Sequence, residues 1–220
     1  IDETREMIDY YFSAIPDKPK PKKVFPVEPD ITQETRVQEY DPNIQIPAIL
    51  LNYRTPPMQS REARVLDLIS TYLSTGKSSK LYKKLVDEQK IALEVQAVSL
   101  PLEEYGIYAI LALPLGDTPL DQLKTEIDEE IVALKSDLIS EKDYQKLQNI
   151  YENNFVNSNA SIQGVATSLS QYYLFYNDTN LINSSIEIYK SITREEIKDV
   201  ASKYLNDNQR VVMDYLPENK

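Results

Sequence analysis

The chain has 220 residues, 41% of them hydrophobic, enough for one sizeable core without disulfide or metal staples. It contains neither cysteine nor histidine, which excludes disulfides, thiolate chemistry, Ser–His and Cys–His pairs, and imidazole ligation of a metal. A formal net charge of −11 opposes binding to nucleic-acid phosphates and anionic membranes, and no apolar run approaches the ~18 residues of a membrane span.

Residues 1–12 read as an amphipathic helix, with Met7, Ile8, Tyr11 and Phe12 on one side. The sequence enters that helix without an initiator methionine or a cap, so the chain is expected to be cut from a longer polypeptide. Ile15 to Pro29 is rich in proline and lysine, and the fixed φ and missing N–H of proline predict an extended, semi-rigid linker. Strands follow at Thr35–Tyr40 and Ala48–Tyr53, separated by the turn Asp41-Pro42-Asn43. The run Ile49-Leu50-Leu51 predicts a strand buried on both faces. Ser60–Thr75 is a helix with Val65, Leu68, Ile69, Tyr72 and Leu73 inward and Gly76 as its stop. Ser78 or Ser79 then caps a shorter helix that buries Leu81, Tyr82, Leu85 and Val86.

Ile91–Leu100 and Gly106–Leu113 form an antiparallel hairpin across Leu102-Glu103-Glu104-Tyr105, the second strand being apolar on both sides. Thr118 caps a helix with Pro119 at its first position and a stripe of Leu120, Leu123, Ile127, Ile131, Leu134 and Leu138. Further stripes are Tyr144, Leu147, Tyr151 and Phe155, then Ile162, Val165, Ala166, Leu169 and Tyr173. Thr193-Arg194-Glu195-Glu196 is a capping box before Ile197, Val200, Ala201 and Tyr204, and Gln209–Tyr215 returns to β. Hairpins with helices gathered between them predict an α+β fold, an antiparallel sheet with helices packed on one face. Only four glycines occur and none opens a βαβ unit, which leaves no place for a Rossmann site or P-loop.

Three groups bear on chemistry. Ser78, Ser79 and Lys80 could suggest a serine–lysine nucleophile, but a lysine base needs desolvation and Lys80 lies among Lys77, Lys83 and Lys84. Asp128-Glu129-Glu130 and Glu103-Glu104 could suggest cation sites. Ile127 and Ile131 form the buried stripe, however, which places the first cluster on the solvated side of its helix. Among 16 tyrosines, Tyr144, Tyr151 and Tyr173 fall on apolar stripes and read as core, while Tyr172 and Tyr176 are free to line a peptide-binding surface.

Gly76-Lys77-Ser78-Ser79-Lys80-Leu81-Tyr82 resembles the G-x-S-S-[RK]-L-[YF] signature in the C-terminal half of pitrilysin-like, mitochondrial-processing-peptidase-like zinc metallopeptidases, the inverzincins. Tyr53-Arg54-Thr55-Pro56-Pro57, Ile91-Ala92-Leu93-Glu94-Val95 and Tyr105-Gly106-Ile107-Tyr108 are similar to the segments flanking that signature. Ile192-Thr193-Arg194-Glu195-Glu196-Ile197 and Ala201-Ser202-Lys203-Tyr204-Leu205 are similar to the family's last helix.

The resemblance implies a metallohydrolase repeat of the LuxS and processing-peptidase type, divided into four parts. Residues 1–16 would end a preceding catalytic repeat, 17–34 link, 35–216 form the second, non-catalytic repeat, and 217–220 trail off. It further implies no catalytic and no metal-binding residue in this chain, with the signature Gly76, Ser78, Ser79, Lys80, Leu81 and Tyr82 structural. Zinc would sit in an H-x-x-E-H-bearing partner repeat, of the same polypeptide or of a partner subunit, opposite which this half encloses and grips peptide. Family members hold substrate with an arginine and a tyrosine whose places here fall at about Leu111 and Thr118, which puts that role in doubt. An inactive scaffold or interaction subunit is the alternative. The net charge favours basic or extended peptides, and a bacterial periplasm or cell envelope fits both the family and the absence of cysteine.

Overall fold

In the computed structural model, which describes residues 1–218 except 20, 22, 23, 25, 27 and 28, five strands form one sheet in the order β1-β5-β2-β4-β3. β2 (Ala48–Thr55) runs through its centre, antiparallel to β4 (Gly106–Pro114) with Ile49 opposite Ala112 and Tyr53 opposite Tyr108. On its other side β2 pairs antiparallel with β5 (Arg210–Pro217), Leu51 opposite Val212. β3 (Ala92–Pro101) completes the hairpin with β4, carrying an irregularity between Ala92 and Glu94. The other edge, β1 (Thr35–Asp41), lies parallel to β5 with Val37 opposite Met213. The antiparallel sheet expected from the hairpins therefore carries one parallel edge. Parallel neighbours need a long crossover, and here everything between β1 and β5 supplies it.

Helices cover one face. α2 (Arg61–Ser74) buries Val65, Leu66, Leu68, Ile69 and Leu73, and α3 (Leu120–Ser136) buries Leu123, Ile127, Ile131 and Leu134. α7 (Arg194–Tyr204) adds Ile197, Val200 and Ala201. These meet Ile49, Leu51, Tyr53, Tyr108, Ile110, Ala112 and Val212 from the strands in one core. Each such Leu or Ile contributes roughly 1.5–3 kcal/mol by leaving water.

The opposite face differs from expectation. β2 and β4 alternate buried with half-buried residues rather than being buried on both sides. Leu50, Leu111, Leu113, Val211 and Met213 are half-buried there, and Ile107 is 43% exposed. An apolar run in an interior strand thus reports one packed face and one open apolar face.

Local chemistry sets the helix starts. Ser60, Ser140 and Thr193 accept hydrogen bonds from the backbone N–H three residues on, and Glu196 returns the bond to Thr193 to close the capping box. Pro119, not Thr118, occupies the cap of α3, while the Thr118 hydroxyl donates to the Leu115 carbonyl at 2.8 Å. The segment Tyr82–Glu88 is a π-helix, and its wide turn keeps Leu81 and Leu85 both pointing into the core. Leu138 lies beyond the end of α3 and is exposed, and Ile139 is buried in its stead.

Two stretches lack the burial their periodicity predicts. Every residue of α1 (Asp2–Phe12) is exposed, its apolar side included. α4 (Glu141–Ser158) packs through Leu147 and Gln148, but α5 (Ile162–Gln171) buries no residue, and Tyr173, assigned to the core by spacing, is 64% exposed. α6 (Leu181–Lys190) follows, burying Leu181 and Ser185. The linker expected over 17–34 is described only in part, since positions 20, 22, 23, 25, 27 and 28 lie outside the described residues.

Candidate functional site

The glycine–serine signature forms the turn between α2 and the π-helix. Gly76 has φ +76, a left-handed conformation in which a Cβ is strained. Its carbonyl accepts from the Ser79 hydroxyl at 2.7 Å, so Ser79 closes the turn instead of capping the helix that follows. Ser79 and Leu81 are buried, and Tyr82 packs against the core. Ser78 accepts from Lys146 Nζ at 2.8 Å. Lys80 lies 3.3 Å from Asp143 and 5.4 Å from the centre of the Tyr72 ring. Partial burial opposes its charge, but Tyr72 and Asp143 outweigh that and raise its pKa. An ammonium held this firmly does not act as a base toward either serine. The six residues thus tie α2 to the π-helix and α4.

Asp128 corrects the reading of the acidic cluster as solvated. It accepts from both Nη1 and Nη2 of Arg210, a guanidinium only 1% exposed at the start of β5. The same guanidinium donates to Glu34 at 2.8 Å and to Tyr53 Oη at 2.9 Å. Burial works against that charge, and the bonds from Asp128, Tyr53 and Glu34 overcome it and raise the arginine's pKa. Glu129 and Glu130 join Glu126 around Lys84 at 2.9 to 3.3 Å. Nearby, Arg36 bridges Asp214, which is buried, and Asp121.

These carboxylates neutralise cations of the protein itself. Among the described residues no group of three or more acidic side chains is disposed to hold a metal ion. The chain supplies no imidazole or thiolate either.

Tyr172 and Tyr176 stand edge to face with ring centres 6.0 Å apart and are half-buried. Their hydroxyls are engaged within the fold, Tyr172 with Ser185 Oγ at 3.0 Å and Tyr176 with the Met58 carbonyl at 3.1 Å. The adjoining Tyr173, Leu174 and Phe175 carry the exposed surface. Tyr151 stacks on Tyr189 at 3.4 Å, Tyr189 donates to Asp67 at 3.2 Å, and Tyr144 donates to the Ile192 carbonyl at 2.6 Å.

The positions suggested for a substrate-holding arginine and tyrosine offer neither chemistry. Leu111 is a half-buried residue of the open face and Thr118 is committed to its loop. An arginine and a tyrosine do meet at the end of that face. Arg54, next to last in β2, places its guanidinium 5.5 Å from the centre of the Tyr105 ring in the β3–β4 turn and donates to the Pro29 carbonyl at 2.9 Å. They border an open cleft of about 480 Å³ together with Ile31, Pro57, Lys203 and Tyr204. The alternation of β2 could have placed Arg54 on the open side; nothing local pairs it with Tyr105.

A five-stranded α+β sheet with helices packed on one face is the fold of a processing-peptidase-type repeat. Residues 1–151 match the family described as the peptidase M16 inactive domain, and the chain belongs to that family. The zinc protease PqqE of Helicobacter pylori is 25% identical over 161 residues, 73% of this chain and 36% of the relative. The crystal structure of a protease from Helicobacter pylori superposes with a TM-score of 0.85 at 21% identity, over 98% of this chain and 52% of that one. The inactive peptidase domain of a putative zinc protease from Bordetella parapertussis gives 0.70 at 21% identity, over 80% and 92%. The chain thus spans about a third of the curated relative it matches.

Proposed function

We propose that this chain is the non-catalytic half of a zinc metalloendopeptidase and closes over a zinc-bearing repeat to enclose and grip peptide. One observation carries the reading: a member of the inactive M16 domains, 220 residues long, has no histidine from which to build the metal centre. The open apolar face of the sheet supports it, since half-buried Leu50, Leu111 and Met213 suit an extended chain or a partner surface. In this reading Arg54 and Tyr105 take the substrate-holding part that Leu111 and Thr118 cannot. Arg54 would bond peptide carbonyls, and Tyr105 would offer ring surface and a hydroxyl. Tyr172 and Tyr176 contribute ring surface to the chamber wall, their hydroxyls being engaged elsewhere. Residues 1–16 belong to the end of the preceding repeat, and the assembly works in a bacterial envelope.

The test is reconstitution. The chain is purified alone and with the repeat encoded upstream or in a neighbouring reading frame, and cleavage of a quenched fluorescent peptide is followed. Cleavage that needs both components, and that stops when the H-x-x-E-H glutamate of the partner is replaced, supports the proposal. A degenerate motif in every such repeat, with no cleavage by any mixture, would replace it with the scaffold alternative.

A further inference from the structure

The segment that leads into β1 is held at both ends by arginines. At its inner end Glu34 accepts from Nε and Nη2 of the buried Arg210 at 2.8 and 2.7 Å and lies 3.6 Å from Lys124 Nζ. At its outer end the Pro29 carbonyl accepts from Arg54 Nη1 at 2.9 Å. Tyr53 and Arg54 are consecutive in β2, and Tyr53 Oη shares the Arg210 guanidinium, so the two ends are tied to opposite faces of one strand. Between them Asp30, Ile31 and Thr32 form one wall of the cleft that Arg54 and Tyr105 border. Ile31 is half-buried, and none of the three makes a backbone hydrogen bond to another described residue. The two ends differ in kind. Glu34 joins two ionised groups through two donors and is an anchor. The acceptor at Pro29 is a backbone carbonyl, the same group that every peptide carries.

We infer that residues 29–34 are an autoinhibitory strap, whose Pro29 carbonyl occupies the Arg54 donor that a substrate carbonyl takes. The inference rests on the substrate-holding reading of Arg54 given above. Strap and peptide compete for one N–H, so apparent affinity for peptide falls with the fraction of molecules in which the strap is docked. Glu34 sets that fraction. By fixing one end of a six-residue segment it keeps the Pro29 carbonyl at high effective concentration beside Arg54, without lining the cleft itself. Glu34 is thus a positioning residue that acts through the strap, and peptide entering the cleft releases the chain at residue 29.

Two measurements test the strap. NMR relaxation of the 220-residue chain reads it with no peptide present. Ile31 and Thr32 should be as rigid as β2 in the wild type and gain fast backbone motion in E34Q and in R54A. KM for the quenched fluorescent peptide is then measured in the reconstituted protease. E34Q should lower KM by about threefold or more with kcat unchanged, a gain in affinity that loss of a merely structural contact does not give. With R54A already present, E34Q should change nothing further. I31S, which lies outside the ion network, replaces E34Q should that variant fail to fold. Unchanged motion at Ile31 and Thr32, or a KM that E34Q leaves alone or raises, overturns the strap; if R54A still raises KM, the substrate-holding reading survives it. A KM indifferent to R54A, or no cleavage by any mixture, overturns both.

Discussion

Replacing Arg210 by methionine keeps much of the side-chain volume and removes the charge at the centre of the buried network. The variant strands Asp128 and Glu34 and leaves Tyr53 Oη without its donor. Breaking one side of a buried, hydrogen-bonded ion pair costs about 3–5 kcal/mol. Asp128 is partly exposed and keeps Lys124 at 3.1 Å, so the lower end, about 3 kcal/mol, is expected. Urea unfolding followed by circular dichroism reads this as a lower midpoint at unchanged slope. The double variant R210M/D128L removes both charges and should recover more than half of the loss. A pH signature accompanies it. Burial pushes the Asp128 carboxyl up, but the bonds from Arg210 more than offset this and hold its pKa below the usual range. A depressed carboxylate stabilises the fold above its unfolded pKa of about 3.9 and loses that contribution as pH falls through the folded value. The wild-type chain should therefore lose stability more steeply below about pH 4 than R210M. A cost under about 1 kcal/mol, or a double variant as unstable as the sum of the singles, would refute the reasoning.

Gly76→Ala meets no atom within 4 Å of its new Cβ, so its cost is backbone strain alone, about 1–2 kcal/mol, and Gly76→Asn should cost less; chemical denaturation distinguishes the two. The Tyr108 hydroxyl is buried without a hydrogen-bond partner among the described residues, so Y108F should be neutral or stabilising, whereas Y53F, which loses the Arg210 bond, should cost about 1 kcal/mol by the same assay. In the reconstituted protease, R54A should raise KM about tenfold with little change in kcat, the signature of lost substrate binding; an unchanged KM would remove Arg54 from the substrate-holding role.

The parts of this fold legible in the sequence are those where one element faces one core. Leu123, Ile127, Ile131 and Leu134 sit inward because a helix on a sheet needs a single stripe. The capping box at Thr193 reads off four consecutive residues. Pairing between distant segments is not written locally, so the parallel edge of β1 on β5 could not be anticipated. Neither could Arg210, Asp128 and Asp214, since a charged residue reads as surface until its partner is known. The stripe of α5 misleads for a related reason: helical spacing reports that a face is apolar, not what covers it. At the site, the missing histidine is visible by inspection, whereas the meeting of Arg54 with Tyr105 depends on the sheet closing between them.

The most direct test is zinc analysis of the purified 220-residue chain by plasma mass spectrometry after dialysis against zinc, with peptide cleavage measured on the same sample. Far less than one zinc per chain and no cleavage are predicted. One tightly held zinc per chain, with hydrolysis that a chelator abolishes and zinc restores, would contradict the account.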